Sequence, residues 1–116
     1  MDITLSPEDT EFREEVRAFL AENLPDAVKS GAAASPTVFV EPEIGQTWNA
    51  VLNEKGWLGY QWPKEHGGTG WTPLQRYLFE KECAQAGAPN LTVLGLKLVA
   101  PVIYTFGTPE QKAEYL

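Results

Sequence analysis

The chain has one histidine and one cysteine, the two residue types best suited to acid–base and nucleophilic chemistry near neutral pH. His66 follows two charged residues, and the sequence places no serine or cysteine nucleophile close to it, which disfavours a general-base role. Cys83 has helical neighbours and is expected to be a small packing residue, while Glu80 and Glu82 are expected to face water or cap neighbouring groups. One imidazole and one thiol do not make a zinc site, so we predict no metal site and no catalytic residue in this chain.

A glycine-rich run, His66-Gly67-Gly68-Thr69-Gly70, invites comparison with loops that bind phosphate, because free backbone amides before a helix attract anions. The run lacks the spacing of a Walker motif, lacks a following Lys-Ser/Thr pair, and follows no convincing strand. We therefore expect its glycines to adopt positive φ angles in a tight turn before a helix that begins at Thr72.

Composition excludes several classes of partner. Sixteen acidic residues against nine basic ones give a net charge of −7, which disfavours nucleic-acid binding because phosphates require clustered lysine and arginine. No apolar run approaches the 18 or so residues of a membrane span, so we expect no membrane contact. A lone cysteine cannot form an internal disulfide, and this favours a cytoplasmic location. With 116 residues, 43% of them hydrophobic, the chain fits one globular domain.

The elements that would position any site are predicted to be helices. One of these helices is expected to run from Pro42 or Ile44 to Lys55, with Gly56 as a left-handed cap just after it. No strand has an evident partner, so we predict an all-α fold, a bundle of about five helices. Three helix starts share one signal, a capping serine or threonine followed by proline: Ser6-Pro7, Thr72-Pro73 and Thr108-Pro109.

Two segments are less regular. Lys29–Pro36 consists of small and polar residues interrupted by glycine and proline, so weak order is expected there, and Thr37–Val40 has the composition of a short strand without a partner.

Leu91–Phe106 is apolar on nearly every side, which predicts a buried, central helix with a kink or break at Pro101. The short run after Thr108 indicates a fragment of a larger protein, and we expect Leu91–Phe106 to leave an exposed apolar patch in this chain.

Four motifs in order make the chain recognisable. They are Gly56-Trp57-Leu58-Gly59, the stretch from Trp62 to Gly70, the stretch from Glu82 to Pro89, and Gly107-Thr108-Pro109-Glu110-Gln111-Lys112. Together they resemble the N-terminal helical domain of the flavin-dependent acyl-CoA dehydrogenases, over nearly the whole chain. Residues 1–116 would then be the first domain of an enzyme that also has a middle β domain and a C-terminal helical domain.

The resemblance implies an FAD enzyme that oxidises the Cα–Cβ bond of an acyl-CoA thioester, as in fatty acid β-oxidation. A glutamate beyond residue 116 would abstract the α proton, and the flavin would accept hydride from the β carbon. Electron-transfer flavoprotein or a similar acceptor would take the electrons, and the enzyme would be a homo- or hetero-oligomer, with a homotetramer as the expected form. This chain alone would bind no flavin and be inactive.

The resemblance also implies that the segment from Asn90 to Leu98 helps to wall the acyl pocket. The candidates for substrate binding are Asn90, Leu91, Leu94, Gly95 and Leu98. An apolar helix provides apolar surface, and a glycine in it leaves space for a substrate. For Leu91 and Leu94 a pocket role and a core role are equally expected, whereas Leu98 is expected in the core.

Alternative functions remain open at this point. The chain could be a non-catalytic helical module that associates through the face of Leu91–Phe106. It could instead belong to an acyl-CoA oxidase, or to a dehydrogenase subunit that lost its own active site in a mixed oligomer. A sterol side-chain thioester is as compatible with these residues as a fatty acyl chain.

Overall fold

The computed structural model describes residues 4–36, 39–91 and 94–116, which contain six α-helices and no strand. The all-α prediction is confirmed, and one more helix is present than the five or so expected. A short 3₁₀ turn at Lys64–His66 precedes α4, and a π-helical turn at Leu94–Val99 runs directly into α5. The helices are α1 (Pro7–Asn23), α2 (Asp26–Ala34), α3 (Pro42–Lys55), α4 (Pro73–Ala86), α5 (Ala100–Phe106) and α6 (Pro109–Tyr115).

Local capping explains where four of these helices begin or end. Ser6 Oγ accepts from the Asp9 N–H at 3.1 Å at the start of α1. Reciprocal capping boxes start α4, through Thr72, and α6, through Thr108. Helix α3 ends at Gly56, whose φ of 85° is left-handed and therefore suits glycine. The cap residues Ser6, Thr72 and Thr108 and the left-handed Gly56 were predicted, and they are confirmed.

The hydrophobic core lies between α1, α3, α4 and the loop that joins α3 to α4. Helix α1 packs along α4. The ring of Trp71 lies 5.0 Å from that of Phe12 and 5.1 Å from that of Phe79, so aromatic packing ties the loop to both helices. The buried apolar side chains of this core are Phe12, Val16, Leu20, Val28, Trp48, Leu52, Trp57, Tyr60, Leu78 and Phe79.

Helix α2 contradicts the expected weak order of Lys29–Pro36. Val28 is buried in the core, so tertiary packing stabilises a segment whose sequence favours a loop. A Cβ on Gly31 would lie 2.1 Å from Ile44 Cδ1, so glycine lets α2 approach α3 closely. Of the strand considered at Thr37–Val40, the first two residues lie outside the described residues and the last two are not in a strand.

The segment Leu91–Phe106 is not central, which corrects the prediction. Helix α5 packs against the π-helical turn and α6 at the rim of the molecule, because α1 to α4 and the intervening loop already enclose the core. The expected exposed apolar patch is confirmed. The helix is not interrupted at Pro101; instead the π-helical turn changes to α-helix at Ala100, next to the proline. Among the described residues, no helix has the length and apolar character needed to cross a bilayer. We call the exposed patch the outer face of α5; it consists of Leu98, Val99, Val102 and Phe106, 52–82% exposed.

Candidate functional site

An open groove of about 1060 Å³ lies between the C-terminal half of α3, the loop after it, the π-helical turn with α5, and α6. Its apolar side chains include Leu58, Trp62 and Ile103. Polar groups stand around them: Asn49, Asn53, Glu65, His66 and Lys112. A concave, mostly apolar surface with a few polar groups is suited to holding an apolar ligand.

Of the four predicted substrate-binding residues whose side chains the structure describes, only Gly95 lines this groove. Gly95 lies on it, and a Cβ at Gly95 would meet no atom within 4 Å, so the glycine leaves open space there. Leu91 is half-buried and packs against the core, whereas Asn90 is exposed. The core position expected for Leu98 is wrong, since it is 56% exposed on the outer face of α5. The Leu94 side chain lies outside the described part of the structure.

Two side chains of the loop between α3 and α4 hold the groove wall. The Trp62 indole Nε1–H donates to the Leu96 carbonyl at 2.9 Å. The His66 ring stacks on Tyr104 of α5, with ring centres 5.2 Å apart and planes 15° apart. From the sequence a general-base role was disfavoured for His66, and neither of these contacts was predicted. The one signal in the sequence was the number of glycines around these two residues, because glycine lets other groups approach the backbone closely.

The glycine-rich run forms the tight turn that was predicted. Gly67 and Gly70 have the predicted positive φ angles, 96° and 73°, whereas Gly68 does not. The start of α4 is not arranged for a phosphate, because the Thr72 N–H donates to Gln75 Oε1 and the Gln75 N–H donates to Thr72 Oγ. Pro73 between them has no N–H. Two of the amides at this helix start, those of Thr72 and Gln75, are therefore used within the capping box.

The buried titratable groups lie outside the groove and are poorly suited to catalysis. Burial, with the charges of Glu80 and Glu82, raises the pKa of the Cys83 thiol to about 12, so the nucleophilic thiolate is scarce at neutral pH. Burial and a 2.5 Å hydrogen bond to Glu80 raise the pKa of the Tyr60 phenol well above its usual value. Among the described residues, no three histidine, cysteine or acidic side chains converge as metal ligands.

Glu82 is a buried carboxylate, which corrects the expectation that it faces water. Its side chain is 5% exposed and accepts two hydrogen bonds from Arg17, from Nε at 2.9 Å and from Nη2 at 3.1 Å. These bonds raise the pKa of the Arg17 guanidinium. The pair links α1 to α4, and its role is structural because it lies away from the groove. Within the described ranges, the geometry therefore provides an apolar groove, and no catalytic set converges there.

Comparison with known proteins gives a consistent family. The family model described as "Acyl-CoA dehydrogenase, N-terminal domain" matches residues 6–116. The curated relative "Acyl-CoA dehydrogenase FadE26" of Mycobacterium tuberculosis is 32% identical over 116 residues, which is 100% of this chain and 29% of the relative. "Acyl-CoA dehydrogenase IpdE1" of Mycolicibacterium smegmatis is 37% identical over 109 residues, covering 91% of this chain and 28% of the relative.

Solved structures agree with the sequence matches. The crystal structure of the ChsE4-ChsE5 complex from Mycobacterium tuberculosis has a TM-score of 0.71 at 32% identity, over 100% of this chain and 28% of that chain. A variant of the Tcur3481-Tcur3483 steroid ACAD has a TM-score of 0.73 at 33% identity, over 93% of this chain and 27% of that chain. The chain thus spans under a third of the length of the curated relatives and structures named here.

Proposed function

The chain belongs to the acyl-CoA dehydrogenase family as an N-terminal domain, and from that premise we propose that it walls the acyl pocket of a flavin-dependent dehydrogenase. That enzyme removes two hydrogens across the Cα–Cβ bond of an acyl-CoA thioester. The observation that carries the proposal is the family match over residues 6–116, nearly the whole chain. In this proposal residues 1–116 are the first domain, and a middle β domain and a C-terminal helical domain complete the enzyme.

The groove is the part of this domain that we assign to the acyl group. Gly95 leaves space on the groove, and Leu96 and Ile103 provide apolar surface on the same side. Burying an acyl chain against such a surface is favourable because it removes apolar area from water. Of the original candidates Gly95 has the strongest support, Leu91 and Leu94 are retained as neighbours of the pocket, and Asn90 and Leu98 are assigned to its rim.

The described residues do not fit a flavin, so we assign FAD to the later domains. Flavin adenine dinucleotide carries a diphosphate, which requires cations or free amides. Among the described residues that line the groove, Lys112 is the one lysine that could bind a phosphate. Glu65 also lines the groove, and its negative charge would repel a diphosphate. Two amides at the start of α4, those of Thr72 and Gln75, are used by the capping box. The glutamate that abstracts the α proton is likewise assigned to a later domain, and this domain's task is to hold the acyl group and exclude water.

A bulky, ring-bearing acyl-CoA is the substrate class that we propose, in preference to a plain fatty acyl-CoA. One structural neighbour is named a steroid ACAD, and it is 33% identical to this chain over the aligned part, which is 27% of that neighbour. The groove is open on one side and its volume of about 1060 Å³ slightly exceeds the range of about 300 to 1,000 Å³ for small-molecule pockets, so it has room for a ring-bearing acyl group. Electron-transfer flavoprotein or a similar acceptor would reoxidise the flavin, in the cytoplasm.

A second candidate is a subunit of a mixed oligomer in which the partner subunit carries part of the active site. Both structural neighbours have names that join two components, ChsE4-ChsE5 and Tcur3481-Tcur3483. We favour a hetero-oligomer over a homotetramer for this reason. Co-purification of one partner polypeptide in stoichiometric amount distinguishes the two assemblies.

The acyl-pocket proposal is tested with Gly95→Leu in the flavin-loaded enzyme. Added bulk in the groove is expected to raise KM for a steroid side-chain CoA thioester by about tenfold, while butyryl-CoA is little affected because it does not reach the wall. The matched control is Ala33→Leu, which adds similar bulk at an exposed position of α2 outside the groove. Equal effects of Gly95→Leu and Ala33→Leu on both substrates would exclude a pocket role, and lack of any acyl-CoA oxidation would exclude the dehydrogenase.

A further inference from the structure

The π-helical turn and Pro101 together leave the Leu96 carbonyl without its π-register donor. In a π-helix the carbonyl of residue i accepts from the N–H of residue i+5, and in an α-helix from residue i+4. For Leu96 the π partner is position 101, which is proline and has no N–H. Its α partner would be Ala100, but the π register of Leu94–Val99 pairs the Ala100 N–H with the Gly95 carbonyl. Leu96 therefore needs a donor from elsewhere.

Trp62 supplies that donor. Its indole Nε1–H lies 2.9 Å from the Leu96 oxygen, and the two residues are 34 positions apart in sequence. Tryptophan has one N–H and no acceptor, so this hydrogen bond uses its whole polar capacity. Both side chains line the groove, so the bond joins two of its walls.

The loop is shaped to hold this indole in place. A Cβ on Gly59 would lie 2.6 Å from the Trp62 ring, and a Cβ on Gly68 would lie 1.7 Å from the Trp62 carbonyl oxygen. The Trp62 backbone N–H also donates to the Gly59 carbonyl at 2.9 Å. Two glycines thus provide the space in which Trp62 sits, which explains part of the glycine-rich run that the phosphate hypothesis did not.

We propose that Trp62 is a positioning residue that replaces the N–H missing at Pro101. Its hydrogen bond to Leu96 holds Leu94–Val99 in the π register and thereby sets where Gly95 stands on the groove. A register change to α would rotate the residues before Pro101 by part of a turn and move Gly95 relative to the open space. The consequence for acyl specificity rests on the function proposed above, whereas the register itself does not.

A double-mutant cycle in the full chain tests the register. Trp62→Phe keeps a ring but removes the donor, and is expected to speed amide hydrogen exchange over residues 98–104 by about fivefold to tenfold. In a Pro101→Ala background, where position 101 regains an N–H, the same substitution is expected to change exchange less than twofold. Trp71→Phe is the matched control, because that ring packs in the core and its effect should be the same in both backgrounds.

Equal effects of Trp62→Phe on amide exchange in the two backgrounds would overturn the proposal. They would mean that the Trp62 ring acts through packing and not through its hydrogen bond to Leu96. Rapid exchange of the Trp62 indole proton in the unsubstituted chain would also overturn it. The Gly68→Ala variant gives a second approach, because it displaces Trp62 without altering the indole and should reproduce the exchange pattern of Trp62→Phe.

The consequence for specificity is measured in the flavin-loaded enzyme. Trp62→Phe is expected to raise KM for a ring-bearing acyl-CoA about tenfold with kcat changed less than twofold, and Pro101→Ala is expected to restore KM. An unchanged KM overturns the specificity role. If the unsubstituted enzyme oxidises no acyl-CoA, the proposed function fails, and the exchange cycle alone decides the register.

Discussion

At the residue scale, Glu82 illustrates how one charged group can belong to the core. Its carboxylate is 5% exposed and accepts two hydrogen bonds from Arg17, while the exposed Glu14 contacts the same guanidinium at 3.2 Å. Burial of an unpaired carboxylate would be strongly unfavourable, so the guanidinium fork is what permits it. The pair also fixes the rotation of α1 against α4, because both oxygens must meet the fork.

The nearby Cys83 thiol leads to a prediction about alkaline pH. Its pKa is raised by burial to about 12 in the folded chain from 9.0, so the folded state holds this proton more tightly than the unfolded state. The contribution to stability is complete below pH 9 and is lost as pH rises toward 12, at about 1.4 kcal/mol per pH unit. Cys83→Ala should therefore remove this contribution to the fall in the free energy of unfolding with pH. Urea unfolding at pH values between 9 and 11 measures that fall.

Tyr60 provides the control for this measurement. Its phenol pKa is also raised, by burial and by Glu80, and the unfolded phenol titrates near pH 10. Tyr60→Phe should therefore reduce the fall in the free energy of unfolding with rising pH, but only above pH 10. The same pH dependence in the Cys83→Ala variant as in the unsubstituted chain would contradict the prediction.

At the element scale, short capping signals determine where helices start, and their contribution can be measured. Thr72 Oγ accepts the Gln75 N–H at 3.2 Å at the start of α4, so Thr72→Ala leaves that amide without its partner. We expect the free energy of unfolding to fall by about 1 kcal/mol. Urea denaturation followed by tryptophan fluorescence measures this change.

Thr47 is the matched control for the cap. Its Oγ donates to the Glu43 carbonyl at 2.8 Å within α3 and satisfies no free helix donor. Thr47→Ala should change stability by less than about 0.5 kcal/mol, because alanine has the better helix propensity. Similar losses for the two alanine variants would mean that the capping box does not stabilise α4.

At the scale of the whole molecule, the outer face of α5 is the main unpaired apolar surface among the described residues. Phe106 is 82% exposed and Val102 is 59% exposed. Contiguous apolar surface of this kind is typical of an interface, and in the proposed function the later domains or a partner subunit cover it. The chain by itself is therefore expected to self-associate or to bind a hydrophobic dye.

A single charge on this face tests that expectation. Val102→Lys should shift the sedimentation profile toward monomer and lower the fluorescence of a bound hydrophobic dye by several-fold. Gln46→Lys, at an exposed position of α3, carries the same charge change away from the face and should have no effect. A monodisperse monomer without dye binding in the unsubstituted chain would contradict the prediction.

The sequence by itself determined the features that depend on neighbouring residues. The caps at Ser6, Thr72 and Thr108, the left-handed Gly56 and the all-α class followed from local patterns and are present in the structure. Such signals are readable because each acts within one helical turn. The family resemblance was readable for a similar reason, since its motifs are short and appear in order.

Only the tertiary structure decided which segments are buried and which loop residue reaches the groove. Order in α2 depends on Val28 entering the core, and the rim position of α5 depends on how completely α1 to α4 enclose it. Trp62 and Leu96 are 34 positions apart, so no local pattern could pair them. Burial and such long-range hydrogen bonds are properties of packed surfaces, which exist only after distant segments have met.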